Sequence, residues 1–176
     1  MYRIDTLLKQ DQKLFHTQDL ALLWKITNKN TLYTTIKRYL KKKILIPIHK
    51  GFYSTVPLEK IDPIRLGVGY LHRFSYLSLE SVFGRGGLIF QHSEYITLVS
   101  DCSVKFAIGG QRYLVRKLSD RYLNNPAGII ETRGVYVANL ERAVADMIYF
   151  NPQYYFDRNK INWLKVKKIQ KEIGYI

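Results

Sequence analysis

The chain has 176 residues, of which 47% are hydrophobic and 14% aromatic, so it can form one packed domain or two small ones and is not globally disordered. Its short apolar runs exclude a membrane-spanning helix, and its single cysteine, Cys102, excludes an intramolecular disulfide and a cysteine-based zinc site. The 28 Lys and Arg against 14 Asp and Glu give a net charge of +14, which predicts a polyanionic partner: nucleic acid, an anionic membrane surface or an acidic protein.

The spacing of apolar residues in the first third of the chain predicts three short helices. The first ends near Gln10, and the second begins at Thr17, whose hydroxyl suits the N-cap position. After turn-forming residues at 27–30, a third helix is predicted from about Thr31 to Lys42. Its apolar face is formed by Leu32, Ile36, Tyr39 and Leu40.

A β-hairpin is predicted directly after the third helix. The apolar runs 44–48 and 52–54 are β-rich and are joined by a turn at 49–51 that contains Gly51. Three helices and a hairpin in this order indicate a winged helix-turn-helix, so we predict that residues 1–57 are a DNA-binding domain of this type. Pro57 and Pro63 then bracket a linker.

Residues 62–176 predict a separate, small, mixed α/β domain, so the fold class is α+β. The predicted elements are helices at 64–72 and from Ser78, a strand at 95–99, a hairpin at 104–116 about two glycines, strands at 128–130 and 134–137, and helices after Asn139 and at 161–173. Asn139 is expected to cap the helix that follows it. Asp146 lies beside the apolar stripe of that helix, where we expect it to accept a hydrogen bond or to pair with an arginine.

The positive charge is concentrated at the N-terminus. Residues 1–60 hold 12 Lys and Arg against 4 Asp and Glu, whereas the other 116 residues hold 16 against 10. No Asp or Glu occurs between Lys25 and Lys50. A solvated helix usually mixes both signs of charge to form i,i+4 pairs, so this acid-free segment favours double-stranded DNA over a merely hydrated basic surface.

The third helix and the hairpin supply the predicted DNA contacts. Lys and Arg neutralise phosphates, Asn can pair with adenine, and Thr can contact a base or the thymine methyl group. We expect base contacts from the start of the helix, backbone contacts from its end, and a flanking contact from the hairpin tip. The candidate residues are Thr17, Lys29, Asn30, Thr31, Tyr33, Thr34, Lys37, Arg38, Lys41, His49 and Lys50.

Several segments, taken in order, resemble the AbiEi-type antitoxins of abortive-infection systems. They are the N-terminal block through Gly51–Tyr53, then Tyr76–Ser81, Val137–Ala143 and Asp146–Tyr149. The resemblance implies that the winged helix represses its own operon at promoter inverted repeats, and that residues 62–176 are the antitoxin domain of a type IV toxin–antitoxin system. It also implies a nucleotidyltransferase-like toxin that is neutralised without a stable complex. The C-terminal part is shorter than in many members, so a stand-alone regulator is an alternative.

An enzyme is the competing class of function. Asp101, Lys105, Glu131 and Arg133 could belong to a metal-dependent nuclease or a nucleotide-modifying enzyme, but the acids are too scattered to specify a two-metal site. We therefore predict no catalytic, cofactor-binding or metal-binding residues. A third possibility is an antitoxin that binds its toxin directly.

Two further expectations concern the ends of the sequence. The lysines of the 165–171 segment could follow the DNA backbone, which we favour over plain solvation and over contact with a membrane surface. Residues 1–11 contain two aspartates and no continuous apolar stretch, so no signal peptide is predicted, and we expect a cytoplasmic protein without a membrane partner.

Overall fold

The computed structural model describes residues 3–88 and 93–176, and the chain divides between Tyr70 and Leu71 into two units. Over these residues the chain forms eight α-helices and two β-sheets, which confirms the predicted mixed α+β class. We call the part up to Tyr70 unit 1 and the part from Leu71 unit 2. Among the described helices, none is both long and apolar enough to cross a membrane.

Unit 1 combines helices with a three-stranded antiparallel sheet. Its elements are α1 (Arg3–Leu8), β1 (Leu14–His16), α2 (Thr17–Trp24), α3 (Lys29–Lys41), β2 (Ile46–His49), β3 (Phe52–Ser54) and α4 (Pro63–Leu71). The strand order is β1-β3-β2, and both pairings are antiparallel. The strand that precedes α2 is therefore hydrogen-bonded to the second strand of the hairpin that follows α3.

Helices α1, α2 and α3 surround one apolar core because each carries apolar side chains on one face. Leu32 and Ile36 of α3 are buried in this core. Trp24 of α2 packs edge-on against Tyr39 of α3, with ring centroids 5.2 Å apart. The indole Nε1 of Trp24 also donates to the backbone carbonyl of Arg3 in α1 (3.1 Å). These contacts hold α3 in a fixed position against α1 and α2.

The start of α2 differs from the prediction, because its N-cap is His16 and not Thr17. The backbone N–H of His16 donates to the carboxylate of Asp19 (2.7 Å). Thr17 is the first helical residue, and its backbone N–H donates to the carbonyl of Gly51 (2.9 Å). The predicted cap was wrong because residues 14–16 form β1, and the pairing of β1 with β3 brings Gly51 to the start of α2.

α3 begins at Lys29, earlier than the predicted Thr31, because Asn28 is its N-cap. The side-chain oxygen of Asn28 accepts a hydrogen bond from the backbone N–H of Thr31 (3.1 Å). Asparagine favours both turns and N-caps, so the run of turn-forming residues at 27–30 predicted a turn where the helix in fact begins. The earlier start places Lys29 and Asn30 inside the helix.

Unit 2 is built on a six-stranded mixed sheet. Its elements are β4 (Ser75–Leu77), α5 (Glu80–Arg85), β5 (Tyr95–Ser100), β6 (Val104–Ile108), β7 (Gln111–Lys117), α6 (Asp120–Leu123), β8 (Ile129–Thr132), β9 (Val135–Ala138), α7 (Leu140–Phe150) and α8 (Trp163–Ile173). The strand order is β6-β7-β5-β4-β9-β8. The β4/β9 and β5/β7 pairs are parallel, and the other three pairs are antiparallel.

Most predicted elements of unit 2 are confirmed, and the exceptions lie around α5 and α6. The β6–β7 hairpin turns at the two predicted glycines, and Asn139 caps α7 by accepting from the backbone N–H of Arg142 (2.8 Å). The helix predicted from Ser78 begins at Glu80. It starts later because Ser75–Leu77 form β4, a buried strand that is too short to show a two-residue period. The four-residue helix α6 was also not predicted.

Candidate nucleic-acid interface

The exposed face of α3 is polar and basic. Leu32 and Ile36 point into the core and are only 6% and 2% exposed. The structure thus buries the apolar face and exposes the basic one, as the helical spacing predicted. The exposed side chains of the helix are Lys29, Asn30, Thr31, Tyr33, Thr34, Lys37, Arg38 and Lys41.

The cations on this face have no acidic partner within the described residues. No carboxylate lies within 4.0 Å of the charged groups of Lys37, Arg38 or Lys41 among the residues the structure describes. The guanidinium of Arg38 lies over the ring of its neighbour Tyr39, 5.6 Å from the centroid. Because an aromatic ring carries no net charge, this contact does not neutralise the positive charge of Arg38. Uncompensated cations that cluster on one helix face produce a positive potential there, which attracts a polyanion.

The tip of the β2–β3 hairpin is attached to the start of α2. Lys50 is exposed at the turn, and Gly51 has a φ of +76°, a left-handed conformation that favours glycine. The carbonyl of Gly51 accepts hydrogen bonds from the backbone N–H of Thr17 (2.9 Å) and from its hydroxyl (3.3 Å). Thr17 is therefore half-buried between helix and hairpin, and it holds Lys50 beside the first turn of α2.

α4 packs against the same hairpin. The ring Nε2 of His16 donates to the backbone carbonyl of Gly69 in α4 (2.8 Å), and the His16 ring stacks on Phe52 with centroids 4.5 Å apart. The ring of Tyr70 contacts His49 and Phe52 edge-on, at 5.3 Å and 5.9 Å between centroids. His49 is thus exposed but is supported by a helix that follows the predicted linker.

Sequence reasoning missed two residues that position this surface. Asn28 fixes where α3 begins, and the signal for it was present, since Asn at the start of a helical pattern is a common cap. Tyr70 supports His49 from α4, and nothing in its local sequence could indicate this, because the contact depends on how the chain folds back.

A buried ion pair lies at the centre of unit 2. Arg142 and Asp146, one turn apart on α7, both have fully buried side chains, and Nε of Arg142 donates to the Asp146 carboxylate (2.9 Å). The guanidinium also donates to the backbone carbonyls of Asn125 (3.0 Å), Ala127 (2.9 Å) and Tyr122 (3.3 Å). The expectation that Asp146 pairs with an arginine is confirmed.

Three hydroxyl groups complete the hydrogen bonding of the Asp146 carboxylate. Tyr76 and Ser78 donate to one oxygen (both 2.9 Å), and Tyr175 donates to the other (2.7 Å). Burial raises the pKa of the Tyr76 and Tyr175 phenols, and the negative charge of Asp146 raises the pKa of both further. These phenols therefore remain protonated donors throughout the neutral pH range.

The tight packing of this network leaves little room at Gly128. Gly128 has a φ of +72°, and a Cβ placed there would lie 2.6 Å from Cβ of Arg142. Every charged atom of the ion pair is occupied, which is typical of a structural network and not of a reactive site. Four network residues, Tyr76, Ser78, Arg142 and Asp146, belong to the segments that carry the family resemblance.

The residues considered for a nuclease do not come together. Asp101 follows β5 and pairs with Arg73 (2.9 Å), whose hydrogen bond lowers the pKa of the Asp101 carboxyl. Lys105 lies on β6 and Glu131 on β8, which are the two opposite edges of the six-stranded sheet. Arg133 lies in the turn after β8. Across the described ranges, no cluster of three or more His, Cys, Asp or Glu side chains could hold a metal ion.

The basic C-terminal segment is the amphipathic helix α8, which contacts α7. Val166, Ile169 and Ile173 are buried on one side. The lysines at 165, 167, 168 and 171 are exposed, and the ammonium of Lys168 lies 3.8 Å from the Glu172 carboxylate. This helix is therefore anchored in unit 2 and is less purely basic than α3.

Comparison of the sequence with models of protein families and with curated proteins found no match. The resemblance to AbiEi-type antitoxins is therefore a hypothesis supported only by the segments quoted above. The surface of α3 and the hairpin beside it are the structural features that bear on function.

Proposed function

We propose that unit 1 is a winged helix-turn-helix that binds double-stranded DNA, with α3 in the major groove and the β2–β3 hairpin as the wing. The order α1-β1-α2-α3-β2-β3 and the sheet order β1-β3-β2 support this proposal, since this topology is typical of that fold. The major groove is about 12 Å wide and admits one α-helix, so the exposed face of α3 can enter it.

The observation that carries the proposal is the acid-free, exposed, cationic face of α3. Lys37, Arg38 and Lys41 are exposed on the later turns, where they can neutralise phosphates. Asn30 and Thr34 are exposed on the earlier turns, where base edges are usually contacted. The wing adds Lys50, and its attachment to α2 through Thr17 means that little ordering is needed when DNA binds.

We further propose that the protein is a transcriptional autorepressor and the antitoxin of a type IV toxin–antitoxin system. Its operator would be the inverted repeats of its own promoter, and its functional partner a nucleotidyltransferase-like toxin that it neutralises without a stable complex. A cytoplasmic location, where the chromosome lies, and the absence of any cofactor are part of this proposal. Its support is the family resemblance, whose segments include four residues of the buried network in unit 2.

The salt dependence of DNA binding tests the first part. If about five to eight phosphates are contacted, the logarithm of the affinity of the full chain for a promoter duplex should fall with the logarithm of salt concentration at a slope of about −4 to −7. Fluorescence anisotropy at several salt concentrations gives this slope. A slope near zero would contradict phosphate neutralisation by α3.

Co-expression with the toxin tests the second part. The chain should restore growth to cells that express a nucleotidyltransferase-like toxin from the neighbouring gene, and the two proteins should not co-purify. A Lys37→Ala/Arg38→Ala variant should lose repression and keep neutralisation if unit 2 carries the antitoxin activity. Failure of the intact chain to restore growth would leave a regulator without antitoxin function, and co-purification would indicate direct toxin binding.

A further inference from the structure

The polar side chains of α3 differ in whether they form hydrogen bonds within the protein. The hydroxyl of Thr31 donates to the side chain of Asn28 (3.4 Å), and the buried hydroxyl of Thr35 donates to the carbonyl of Thr31 (2.8 Å). The side chains of Asn30 and Thr34 are exposed and make no hydrogen bond to any other residue that the structure describes. Of the amide and aliphatic hydroxyl groups on this helix, these two are left for a ligand.

Asn30 and Thr34 also lie in line with each other. They are four residues apart, so they occupy the same helix face on successive turns, about 6 Å apart along the axis. Lys37 continues this face on the next turn and is exposed. Lys29 lies about 100° around the helix from Asn30, off this line. The early part of α3 therefore offers an amide and then a hydroxyl with a methyl group, followed by an ammonium, with the exposed phenol of Tyr33 about 60° to one side of this line.

This sequence of groups matches adenine and thymine better than guanine and cytosine. A carboxamide can donate to N7 and accept from N6 of adenine only, because guanine has two acceptors at those positions; the threonine methyl fits the C5 methyl of thymine. Guanine is most often contacted by Arg or Lys, and cytosine by an acidic side chain. Before Lys37, α3 has no Arg and no acidic residue, and its one Lys, Lys29, lies off this line. We infer that unit 1 selects duplexes with A·T pairs where the early turns of α3 enter the major groove, with Asn30 and Thr34 as the specificity-determining residues.

The inference rests on the proposed DNA binding of unit 1. Selection from a randomised duplex pool tests the preference for A·T pairs separately from duplex binding itself. The full chain should enrich a motif with A·T pairs at its core, and replacing the critical pair by G·C should lower affinity by about 5- to 150-fold. A motif composed of G·C pairs, or binding without base preference, overturns the inference and leaves duplex binding intact. Failure to bind any duplex overturns both.

Single substitutions can show which residue causes the preference for A·T pairs. Asn30→Ala should remove the preference at one A·T position and leave affinity for an unrelated duplex unchanged. Gln111→Ala is the control, because it removes an exposed carboxamide from β7 in unit 2, and this variant should keep the preference. Asn30 is exposed, and alanine favours helices, so the variant should fold. Full discrimination by Asn30→Ala would overturn the assignment.

Uracil in place of thymine tests Thr34 through a single methyl group. The wild-type chain should bind the uracil duplex about fourfold more weakly, as expected for one lost methyl contact. A Thr34→Ser variant, which lacks the side-chain methyl group, should bind both duplexes equally. If wild type and Thr34→Ser lose the same affinity on this exchange, Thr34 does not contact the thymine methyl.

Discussion

The α3 surface of unit 1 and the ion-pair network of unit 2 use positive charge in opposite ways. Lys37 and Arg38 are exposed and have no carboxylate partner among the described residues. Arg142 is fully buried, and its guanidinium is bonded to a carboxylate, a phenol and three backbone carbonyls. The first arrangement leaves charge available to a ligand, and the second leaves none.

The difference shows that a charged residue must be interpreted together with its partners. A buried guanidinium is tolerated only when its donors are satisfied, so its contacts define the fold around it. An exposed cation with no partner does not stabilise the fold in this way, so we expect its role to be a contact with another molecule. Substitutions in the two regions should therefore affect different measurements: stability in unit 2 and DNA affinity in unit 1.

The largest effect is expected from Asp146→Ala, which leaves Arg142 buried and unpaired. The free energy of unfolding of unit 2 should fall by about 3–5 kcal/mol. Glu172→Ala, which removes a partly exposed carboxylate 3.8 Å from Lys168, is the control and should cost about 0–1 kcal/mol. Urea unfolding can be followed by the fluorescence of Trp163 in a Trp24→Phe background. Equal effects of the two variants would contradict a special contribution of the buried ion pair to the stability of unit 2.

Alkaline pH should destabilise unit 2 through the phenols of Tyr76 and Tyr175. Because the pKa of both groups is raised in the folded state, they stay protonated when the unfolded chain begins to lose these protons near pH 10. The contribution of these two tyrosines to the stability of unit 2 is therefore fully present below about pH 10. Above that pH, the free energy of unfolding falls by about 1.4 kcal/mol per pH unit for each tyrosine.

Tyr175→Phe should remove one of these two contributions to the pH dependence. It should also cost about 1.5–3 kcal/mol at neutral pH, because a hydrogen bond to a carboxylate is lost. Tyr155→Phe, at a tyrosine that is 89% exposed, is the control and should change neither quantity. Unfolding curves measured between about pH 8 and pH 11 give both values. An unchanged alkaline slope in Tyr175→Phe would contradict the argument.

A smaller effect is expected from the two helix caps, Asn28 and Asn139. Replacing either by Ala should lower the stability of its own unit by about 1 kcal/mol. Only Asn28→Ala should also weaken DNA binding, because it loosens the first turn of α3, which carries Asn30. Unfolding and anisotropy measurements on both variants test this, and equal DNA affinities would contradict a role for that turn.

The smallest effect on affinity is expected from single lysines of α3. Lys37→Ala should reduce the magnitude of the salt slope by about 0.9, the contribution of one phosphate contact. Lys105→Ala removes an exposed lysine from the edge of the sheet in unit 2 and should leave the slope unchanged. Anisotropy titrations at several salt concentrations compare the two. A slope that Lys37→Ala does not change would exclude Lys37 from the interface.

Local patterns in the sequence predicted much of this fold. The faces of α3, the β6–β7 hairpin and the cap at Asn139 depend on residues within a few positions of one another, so periodicity and turn chemistry were sufficient. The pairing of Asp146 with an arginine was also within reach, because Arg142 lies one helical turn away.

Contacts between distant segments were not predictable. Thr17 satisfies the criteria for a cap, but β1 pairs with β3 and brings Gly51 to it, a contact across 34 residues. Tyr76 and Tyr175 reach Asp146 from 70 and 29 residues away. Each of these depends on tertiary pairing, which overrides local preference.

In the free protein, the exposed cations of α3 lie on one helix with no carboxylate partner in the part of the chain that the structure describes. Charges of one sign on a single helix lie closer together than the Debye length, about 10 Å at 0.1 M salt, so they repel one another. Dissolved ions weaken that repulsion and should make isolated unit 1 more resistant to unfolding, whereas the same ions compete with a duplex for the lysines. Ionic strength should thus favour folding and oppose complex formation, and a bound duplex would stabilise unit 1 by replacing the ions that screen it.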